Sequence, residues 1–477
     1  MSAKGPDVNA TKSVSVDYGD RKLTIEVPES AVIAEFNDPP FLDDPAQAVR
    51  EALAKPSGLP PLAEMARPGM RVAIAFDDIT RPANVATTIL PRIVDVLEAA
   101  GVDERDIVFI NACANHRKNT RSELANHLGP EIFERFWPRG QIVNHDCDDP
   151  AGLRYFGVTE GGRVVEHNKT FFDADLQIYQ GNVAAQPWRG FTGTGALIGL
   201  ASTRSIASHH SLNSIPQHVA ESRAGQSKPK PMGMKPEMSA FLETATGKPV
   251  FYVNAIAGTQ GRIIDVFAGH ANQITKPAWT RAEQIFRCDV PQADVLIIGL
   301  AQTYAYGHSN NALVATVGAL VPPRFSPGIP ILREGGVIIA LSPSNGMIDP
   351  RHFPSYQEAV DLYGRYHNMR PLVDHEAEFA ARPEYLHAYR HGYGYPALHP
   401  FWLLYEMEYA LERAGAVYLA GVSNPGAFRD LSLTPVTDFQ KAWQLARKHV
   451  GPTPRVVVAP TFWSRPRFKF AVEAGQG

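Results

Sequence analysis

Short apolar runs alternate with stretches of helical periodicity along the first part of the chain. Residues 72–76 (VAIAF) form an unbroken apolar run, which is typical of a strand buried on both faces of a parallel sheet. Apolar positions at helical spacing follow over 89–97, and Gly101 marks the end of that helix. Residues 106–112 (DIVFINA) predict the next strand. A strand, a helix and a strand within about 40 residues form the βαβ unit of a doubly wound sheet.

The same pattern continues along the rest of the chain, so we predict an α/β fold with two α/β domains and parallel-type sheets. The further predicted elements are strands at 174–179, 250–256, 263–267, 293–299, 335–341 and 455–460, and a helix at 311–320. We place the first domain at 1–285 and the second at 286–450. Residues 451–477 then form a tail, and we expect its strand to return to the first domain. A chain of 477 residues is long enough to bury two such cores.

Composition indicates the class of protein and its compartment, but it does not indicate the reaction. The net charge of -3 gives no reason to expect nucleic acid or an anionic membrane as a partner. The three cysteines are far apart and form no CxxC pair, which favours a reducing compartment over a disulfide framework or a structural zinc site. No signal peptide and no run of about 18 apolar residues is apparent. We expect a cytoplasmic protein that binds a small molecule, and we leave its oligomeric state open.

A carboxylate, a hydroxyl and a guanidinium come directly after the first predicted strand, at Asp78, Thr80 and Arg81. Loops at the carboxyl ends of parallel strands carry ligands, and arginine binds a carboxylate through two parallel hydrogen bonds. This loop therefore indicates a site for an anionic substrate. The alternative interpretation is an N-cap made by Asp78 or Thr80, with Pro82 at the first position of the following helix.

Two histidine-containing loops follow later strands. His116, in Asn-His-Arg after 106–112, is suitably placed to move protons near neutral pH, although a loop histidine can equally be structural or exposed. In the second loop, His145 and Asp146 either hydrogen-bond neighbouring loops, with Asp146 able to orient an imidazole, or close a simple Asx turn.

Residues 181–210 combine a glycine turn, an apolar run and two histidines. Glycines at 190, 193 and 195 let the backbone approach a ligand closely, and exposed amides there could bind phosphate, although tight turns use the same residues. His209 and His210 are adjacent, so on a helix their side chains point about 100° apart. We therefore expect one of them at most to bind a given metal ion.

Two other segments have an open interpretation. The proline-rich residues 228–238 are either a mobile loop or lid or a simple connector. Residues 375–402 contain four histidines among tyrosines, and His387 and His391 are spaced for one helix face, as a metal site requires. These histidines form a second metal site, a remodelled substrate pocket, or a set of solvent-facing and aromatic-packed side chains.

The order of these motifs along roughly residues 70–210 resembles the nickel-dependent lactate racemase family. That resemblance implies two α/β domains with the active site in the cleft between them. It also implies a nickel-pincer nucleotide whose square-planar nickel is completed by a protein histidine. In the family, a hydride moves from C2 of the substrate to the cofactor while a histidine takes the hydroxyl proton.

Carried over to this chain, the resemblance makes His210 the nickel ligand and His116 an acid/base residue, with Asp78 and Arg81 at the substrate-loop positions. The cofactor-binding residues it implies are Thr80, Gly190, Thr192, Gly193, Thr194 and His210.

The chain departs from the family at positions that matter for the chemistry. Gln186 stands in place of the second acid/base histidine, and Ala196 replaces the lysine that tethers the cofactor, so no covalent link can form there. On the second-domain helix, aliphatic residues including Val314 and Val317 replace a tyrosine, a glutamine and a lysine.

Three functions remain open from the sequence. The first is a divergent racemase or epimerase that acts on a 2-hydroxy acid and holds any nickel-pincer nucleotide without a covalent bond. The second is a cofactor-independent lyase or hydrolase with His116 as its single base. The third is a non-catalytic protein that binds a small carboxylate or nucleotide.

Overall fold

The strand–helix–strand unit predicted from the sequence lies at the centre of a six-stranded sheet, which we call the site sheet. The computed structural model describes residues 10–81, 83–187, 190–193, 195–212, 214, 234–304 and 306–473. In spatial order, the strands of the site sheet are Ile263–Gly269, Phe251–Ala257, Leu176–Asn182, Val72–Asp77, Ile107–Ala112 and Ile142–Asn144. The first two pair antiparallel and the others pair in parallel.

Helices cover both faces of the site sheet, which explains the unbroken apolar run in its central strand. Ile74 and Phe76 pack with the helix Ala86–Ala99 on one face, whereas Ala73 and Ala75 face the other layer. The first layer contains the helices Pro45–Ala54, Leu62–Met65, Ala86–Ala99, Arg121–Leu128 and Pro130–Phe136. The second contains Lys169–Asp173, Ala196–Gly199, Met234–Thr246 and Ala271–Ile285.

The second sheet has eight strands, and it draws on both ends of the chain. Its main path runs through Thr434–Val436, Ala416–Ala420, Leu332–Leu341, Ala293–Ala301, Thr11–Gly19 and Arg21–Pro28. Val456–Ala459 pairs in parallel with both Ala293–Ala301 and Val32–Ile33. The predicted strands at 293–299 and 335–341 are thus found, each slightly longer than expected.

These pairings correct the predicted domain bounds. The tail strand does not return to the site sheet, because all four residues of Val456–Ala459 are buried between strands of the eight-stranded sheet. Residues 11–33 also belong to that sheet and not to the first domain. Val16 and Val27 of the N-terminal hairpin are fully buried against Ile297 and Ile339, so the hairpin completes that core.

The helices of this second part pack on both faces of the eight-stranded sheet. They are Ala312–Leu320, Tyr356–Tyr366, Glu376–Ala381, Pro383–Gly392, His399–Arg413, Gly426–Arg429 and Phe439–Val450. One continuous core extends from Ile298 and Leu313 to Val183 and Ile256 at the end of the site sheet. The two sheets therefore share apolar packing at the cleft between them.

Short elements complete the described chain. Three two-stranded ladders join Arg287–Val290 to Lys469–Val472, Thr303–Tyr304 to Gly307–His308, and Leu153–Val158 to Val164–Asn168. Thr203–His210 is a helix, and 3₁₀ turns lie at Glu104–Asp106, Trp137–Arg139, Thr259–Gly261, Pro322–Phe325 and Arg370–His375. Within the described ranges, no helix has both the length and the apolar character that crossing a membrane requires.

Candidate functional site

A cavity of about 130 Å³ lies between the two sheets, at the carboxyl ends of the site-sheet strands. We call it the central cavity. Asp77, Arg81 and His116 line it from the site sheet, and Tyr306 and Val317 line it from the second part of the chain. The sequence motifs after the first two strands therefore meet at one place, as the βαβ topology predicts.

Asp78 and His116 form a buried hydrogen-bonded pair at this cavity. The Nδ1 of His116 donates to Oδ2 of Asp78 over 2.8 Å, and only 13% of the His116 side chain is exposed. Thr80 donates its hydroxyl to Oδ1 of Asp78 at 2.6 Å. Because Nδ1 carries the donated proton, Nε2 of His116 is left as an acceptor.

The electrostatic surroundings keep Asp78 ionised. Burial alone would raise the pKa of Asp78, but the charges of His116 and Arg81 and the hydrogen bonds from His116 and Thr80 lower it to about 2. The N-cap interpretation of this loop is wrong, since the next helix begins at Ala86 with Val85 as a cap that makes no side-chain hydrogen bond. Pro82 lies outside the described residues.

Arg81 is held by the other carboxylate of the loop. Its Nε lies 3.4 Å from Oδ1 of Asp77, and Asp77 also accepts the Tyr179 hydroxyl at 2.6 Å and the Asn182 amide at 2.7 Å. Burial lowers the pKa of Arg81, but Asp77 and Asp78 outweigh it and raise the pKa above its ordinary value. Arg81 is thus a permanent cation in the cavity wall.

The glycine turn packs tightly against aromatic side chains. A side chain at Gly190 would overlap the Trp279 ring, and one at Gly195 would overlap the Tyr179 hydroxyl. Gly193 adopts a φ of +123°, and its carbonyl accepts from Asn254 at 2.7 Å. Thr192, Gly193 and Gly195 line the central cavity; Thr194 is outside the described residues. The glycines therefore serve close internal packing as well as access to a ligand.

His209 and His210 both line the central cavity, at the end of the helix Thr203–His210. Their Nδ1 atoms are 3.3 Å apart, and His210 stacks on Trp402. The expectation that the two rings diverge is wrong, because side-chain rotation and the Trp402 contact bring them together at the helix end. The 3.3 Å distance is that of a hydrogen bond between the two rings, in which one Nδ1 donates and the other accepts.

The four departures from the expected motifs are distributed over two environments. Gln186 and Val317 line the central cavity, and Nε2 of Gln186 donates to the Phe191 carbonyl at 3.0 Å. Ala196 and Val314 are fully buried and do not line it. Two of the four departures therefore lie at the cavity, and the other two lie in the packed interior.

The loop at 144–146 has a structural role. His145 is fully buried, hydrogen-bonds the Ala201 carbonyl at 3.0 Å, and burial lowers its pKa to about 4. Asp146 accepts Lys118 at 2.7 Å and lies 3.4 Å from Arg390, so it does not orient an imidazole but ties the site sheet to the helix Pro383–Gly392.

The histidines of 375–402 do not form one cluster. His387 and His391 share a face of the helix Pro383–Gly392, with ring centroids 5.1 Å apart, and both are exposed. His399 is buried beside the central cavity, where its ring centroid is 5.8 Å from that of His116 and its Nδ1 lies 2.5 Å from the Tyr356 hydroxyl. Burial lowers the pKa of His399 well below its ordinary value, so this ring is neutral.

Sequence reasoning missed two basic residues at the cavity. Lys235, in the helix Met234–Thr246, lines the central cavity, and burial and the charge of Arg81 lower its pKa to about 8. Part of the presumed connector at 228–238 is therefore helical and reaches the site, whereas 228–233 lies outside the described residues. Arg467 comes from the C-terminal segment. Neither residue belongs to a motif, so the sequence alone carried no signal for them.

A second cavity, of about 540 Å³, adjoins the first, and we call it the distal cavity. Thr80, Arg81 and His116 line both cavities from one side, and Tyr306 and Arg467 line both from the other. The loop that carries Thr80 and Arg81 thus lies between the central and the distal cavity.

Comparisons with known proteins find sequence similarity to lactate racemases. The lactate racemase N-terminal domain family matches residues 18–222. A lactate racemase from Thermoanaerobacterium thermosaccharolyticum is 22% identical over 333 residues, which cover 69% of this chain and 73% of that protein. One from Lactiplantibacillus plantarum is 26% identical over 300 residues, and the match spans 62% of this chain and 65% of the relative.

The fold agrees as well. The structure of the lactate racemase apoprotein from T. thermosaccharolyticum superposes with a TM-score of 0.68 at 18% identity, covering 94% of this chain and 98% of that one. A Thermotoga maritima crystal structure superposes with a TM-score of 0.56 at 16% identity over 91% of this chain and all of the other.

The chain is thus similar to lactate racemases in sequence and has the fold of the lactate racemase apoprotein.

A lactate racemase fold raises the question of whether the residues present suit the nickel-pincer nucleotide expected from the resemblance. Among the described residues, no group of three or more histidine, cysteine, aspartate or glutamate side chains could hold a metal ion. The two imidazoles at 209 and 210 instead offer one or two donors, which suits a metal that brings its remaining ligands with an organic group. No amine stands at Ala196 to attach that group.

Proposed function

We propose that this protein is a racemase or epimerase that acts on a 2-hydroxy acid, with a nickel-pincer nucleotide held without a covalent bond. At the level of the family, the matches support a racemase-like isomerase. The observation that carries the proposal is the buried Asp78–His116 pair, because its His116, together with Arg81, lines the cavity that His210 also lines.

In this proposal His116 exchanges the proton of the substrate hydroxyl. The hydrogen bond to Asp78 fixes the imidazole with its proton on Nδ1 and leaves Nε2 to accept. Asp78 stays ionised, so it also stabilises the imidazolium that forms when Nε2 is protonated.

Arg81 binds the carboxylate of the substrate. Its contact with Asp77 orients the guanidinium and leaves other N–H groups for an acid in the cavity. A charge-assisted pair inside a partly enclosed site is stronger than in water, and it holds C2 of the acid at a fixed distance from His116.

The nickel-pincer nucleotide, when bound, supplies an acceptor for the hydride on C2. His210 would hold its metal, and the turn that contains Thr192 and Gly193 would hold the nucleotide part through backbone groups. Without a lysine at 196 the association is reversible, so occupancy depends on the concentration of the free group.

A single acid/base histidine is sufficient for this reaction. Gln186 at the central cavity cannot exchange a proton near neutral pH. The nickel-pincer nucleotide would supply the hydride acceptor, so the base would handle only the hydroxyl proton. His116 would then serve both enantiomers, provided that the substrate oxygen stays beside Nε2 while the planar keto acid rotates to present its other face.

Metal content tests the assignment of His210. We expect wild type co-produced with the enzymes that make the nickel-pincer nucleotide to retain about one nickel per chain by mass spectrometry of the metals. His210→Ala should lose it by at least tenfold. His387→Ala is the matched control, since His387 is an exposed histidine outside both cavities. Equal nickel in all three proteins, or none in wild type, contradicts the proposal.

Chiral chromatography tests the reaction itself. Cofactor-loaded wild type should convert one enantiomer of a 2-hydroxy acid, such as lactate or mandelate, into an equal mixture. His116→Ala should lower the rate by at least a hundredfold. Formation of an elimination or hydrolysis product without nickel would instead favour a lyase or hydrolase with His116 as its base.

A further inference from the structure

A partly buried arginine without a carboxylate partner reaches the site from the C-terminal segment. Arg467 lies in the segment 460–468, between Val456–Ala459 and Lys469–Val472. Among the described residues, none of the aspartates or glutamates forms an ion pair with it, and its Nε is buried without a hydrogen-bond partner. Its guanidinium lies over the Trp463 ring, 5.8 Å from the centroid.

Other arginines at the cleft have acidic partners. Arg81 lies 3.4 Å from Asp77, and Arg117 contacts Glu123 at 2.9 Å. Glu406, which also lines the central cavity, lies 3.5 Å from Arg324. A partly buried cation that lacks an anion is costly, because it has lost part of its hydration and no protein carboxylate replaces it. The uncompensated charge of Arg467 therefore calls for a ligand.

The segment that carries Arg467 is anchored at several points. Nε1 of Trp463 donates to the Gly318 carbonyl at 2.9 Å, and the Trp463 ring stacks on Tyr304 at 4.7 Å. Arg465 lies 3.3 Å from Asp38, and Nζ of Lys469 donates to the Gly190 carbonyl at 2.6 Å. Arg467 is therefore held in place before any ligand arrives, which lowers the entropic cost of binding.

Arg467 and Arg81 both line the central and the distal cavity. Burial and the positive charge of Arg81 lower the pKa of Arg467 to about 10, with the Tyr306 hydroxyl opposing this shift. Two guanidiniums that repel each other across a cavity are both stabilised by an anion placed between them.

We propose that Arg467 binds the carboxylate of the substrate together with Arg81, so that the C-terminal segment supplies the cation that the helix Ala312–Leu320 lacks at Val317. The inference rests on the proposed function for the kind of ligand, a 2-hydroxy acid. Trp463 connects the C-terminal segment to the helix Ala312–Leu320, since it donates to the Gly318 carbonyl and its ring lies beneath Arg467.

Calorimetric titration of the full chain, purified without nickel, tests this role in the absence of turnover. Lactate, malate and mandelate serve as probes, and at least one should bind. Arg467→Met should weaken the best of them at least tenfold, whereas Arg467→Lys should weaken it by a smaller factor because it keeps the charge and loses the paired hydrogen bonds. The control Arg455→Met removes an exposed charge outside both cavities that already has Asp294 as partner, and we expect a change below twofold.

Two further measurements separate binding from folding and from the reaction. Lactamide and mandelamide, which lack the carboxylate, should bind wild type and Arg467→Met equally weakly. Unchanged acid affinity in Arg467→Met, or no acid binding by wild type, overturns the role of Arg467. Acid binding that depends on Arg467 in a protein that never racemises would leave this inference standing and remove the proposed function.

Discussion

Asp78 makes the site sensitive to acid through its pairing with His116. Its pKa lies at about 2 in the folded protein against an ordinary value of 3.8, so ionised Asp78 stabilises the fold above pH 4. A shift of this size corresponds to roughly 2 kcal/mol. That contribution is lost as the pH falls through 4 towards 2, because the carboxyl then becomes protonated in both states.

Asp78→Asn should therefore lower the free energy of unfolding at pH 7 by about 2 kcal/mol, while the amide oxygen still accepts from His116. Urea titrations of wild type and variant should converge as the pH is lowered from 5 towards 2. Asp361→Asn, which changes an exposed carboxylate on the helix Tyr356–Tyr366, is the control. A difference between wild type and Asp78→Asn that is the same at pH 3 and pH 7 contradicts the prediction.

The residues of the site were predictable only where they belonged to a motif after a strand. Asp78, Arg81 and His116 follow two neighbouring parallel strands, so topology brought them together. Lys235 and Arg467 are single basic residues on segments whose position depends on tertiary packing, and no local pattern marks them. The convergence of the His209 and His210 rings likewise depends on rotamers and on Trp402.

At the scale of elements, the glycine turn is fitted to the strand Leu176–Asn182 through Tyr179. Gly195 has an ordinary backbone conformation, and it is the Tyr179 hydroxyl together with the adjacent ring edge that leaves no room for a side chain. That hydroxyl donates to Asp77, which in turn contacts Arg81. The turn, the strand and the substrate loop are thus one packed unit.

Gly195→Ala should displace Tyr179 and cost about 1–3 kcal/mol of stability, which thermal unfolding detects as a lower midpoint. Gly392→Ala is the control, since nothing lies within 4 Å of a side chain at that position. Tyr179→Phe should restore little of the loss in the double variant, because the ring carbons Cζ and Cε1 also lie 2.5 and 2.8 Å from the added side chain. An unchanged midpoint in Gly195→Ala would contradict the close fit of the turn.

Elements with continuous apolar runs were predicted well, because burial on both faces requires such runs. The strands Val72–Asp77 and Ala293–Ala301 and the helix Ala312–Leu320 agree with the sequence to within a few residues. Their partners were harder to predict. The hairpin at Thr11–Gly19 and Arg21–Pro28 could pair with either sheet, and the choice depends on which core its apolar face completes.

On the scale of the whole molecule, the shared core at the cleft couples the two sheets. Residues such as Val183 and Ile298 belong to one apolar cluster, and Lys118 and Arg390 meet at Asp146 across the cleft. We therefore expect scanning calorimetry to show a single unfolding transition, with equal calorimetric and van't Hoff enthalpies. Two resolved transitions would mean that the sheets unfold independently.

The eight-stranded sheet contains strands from both ends of the chain, and this affects folding during synthesis. The strand Thr11–Gly19 leaves the ribosome early, but its parallel neighbour Ala293–Ala301 is translated much later. The segment 460–468, which closes the cavity, follows later still. Domains often fold in turn from the first one synthesised. The hairpin Thr11–Gly19 and Arg21–Pro28 can join the eight-stranded sheet only after Ala293–Ala301 has been synthesised. A nascent chain that already contains the whole site sheet therefore still lacks the parts that complete the central cavity.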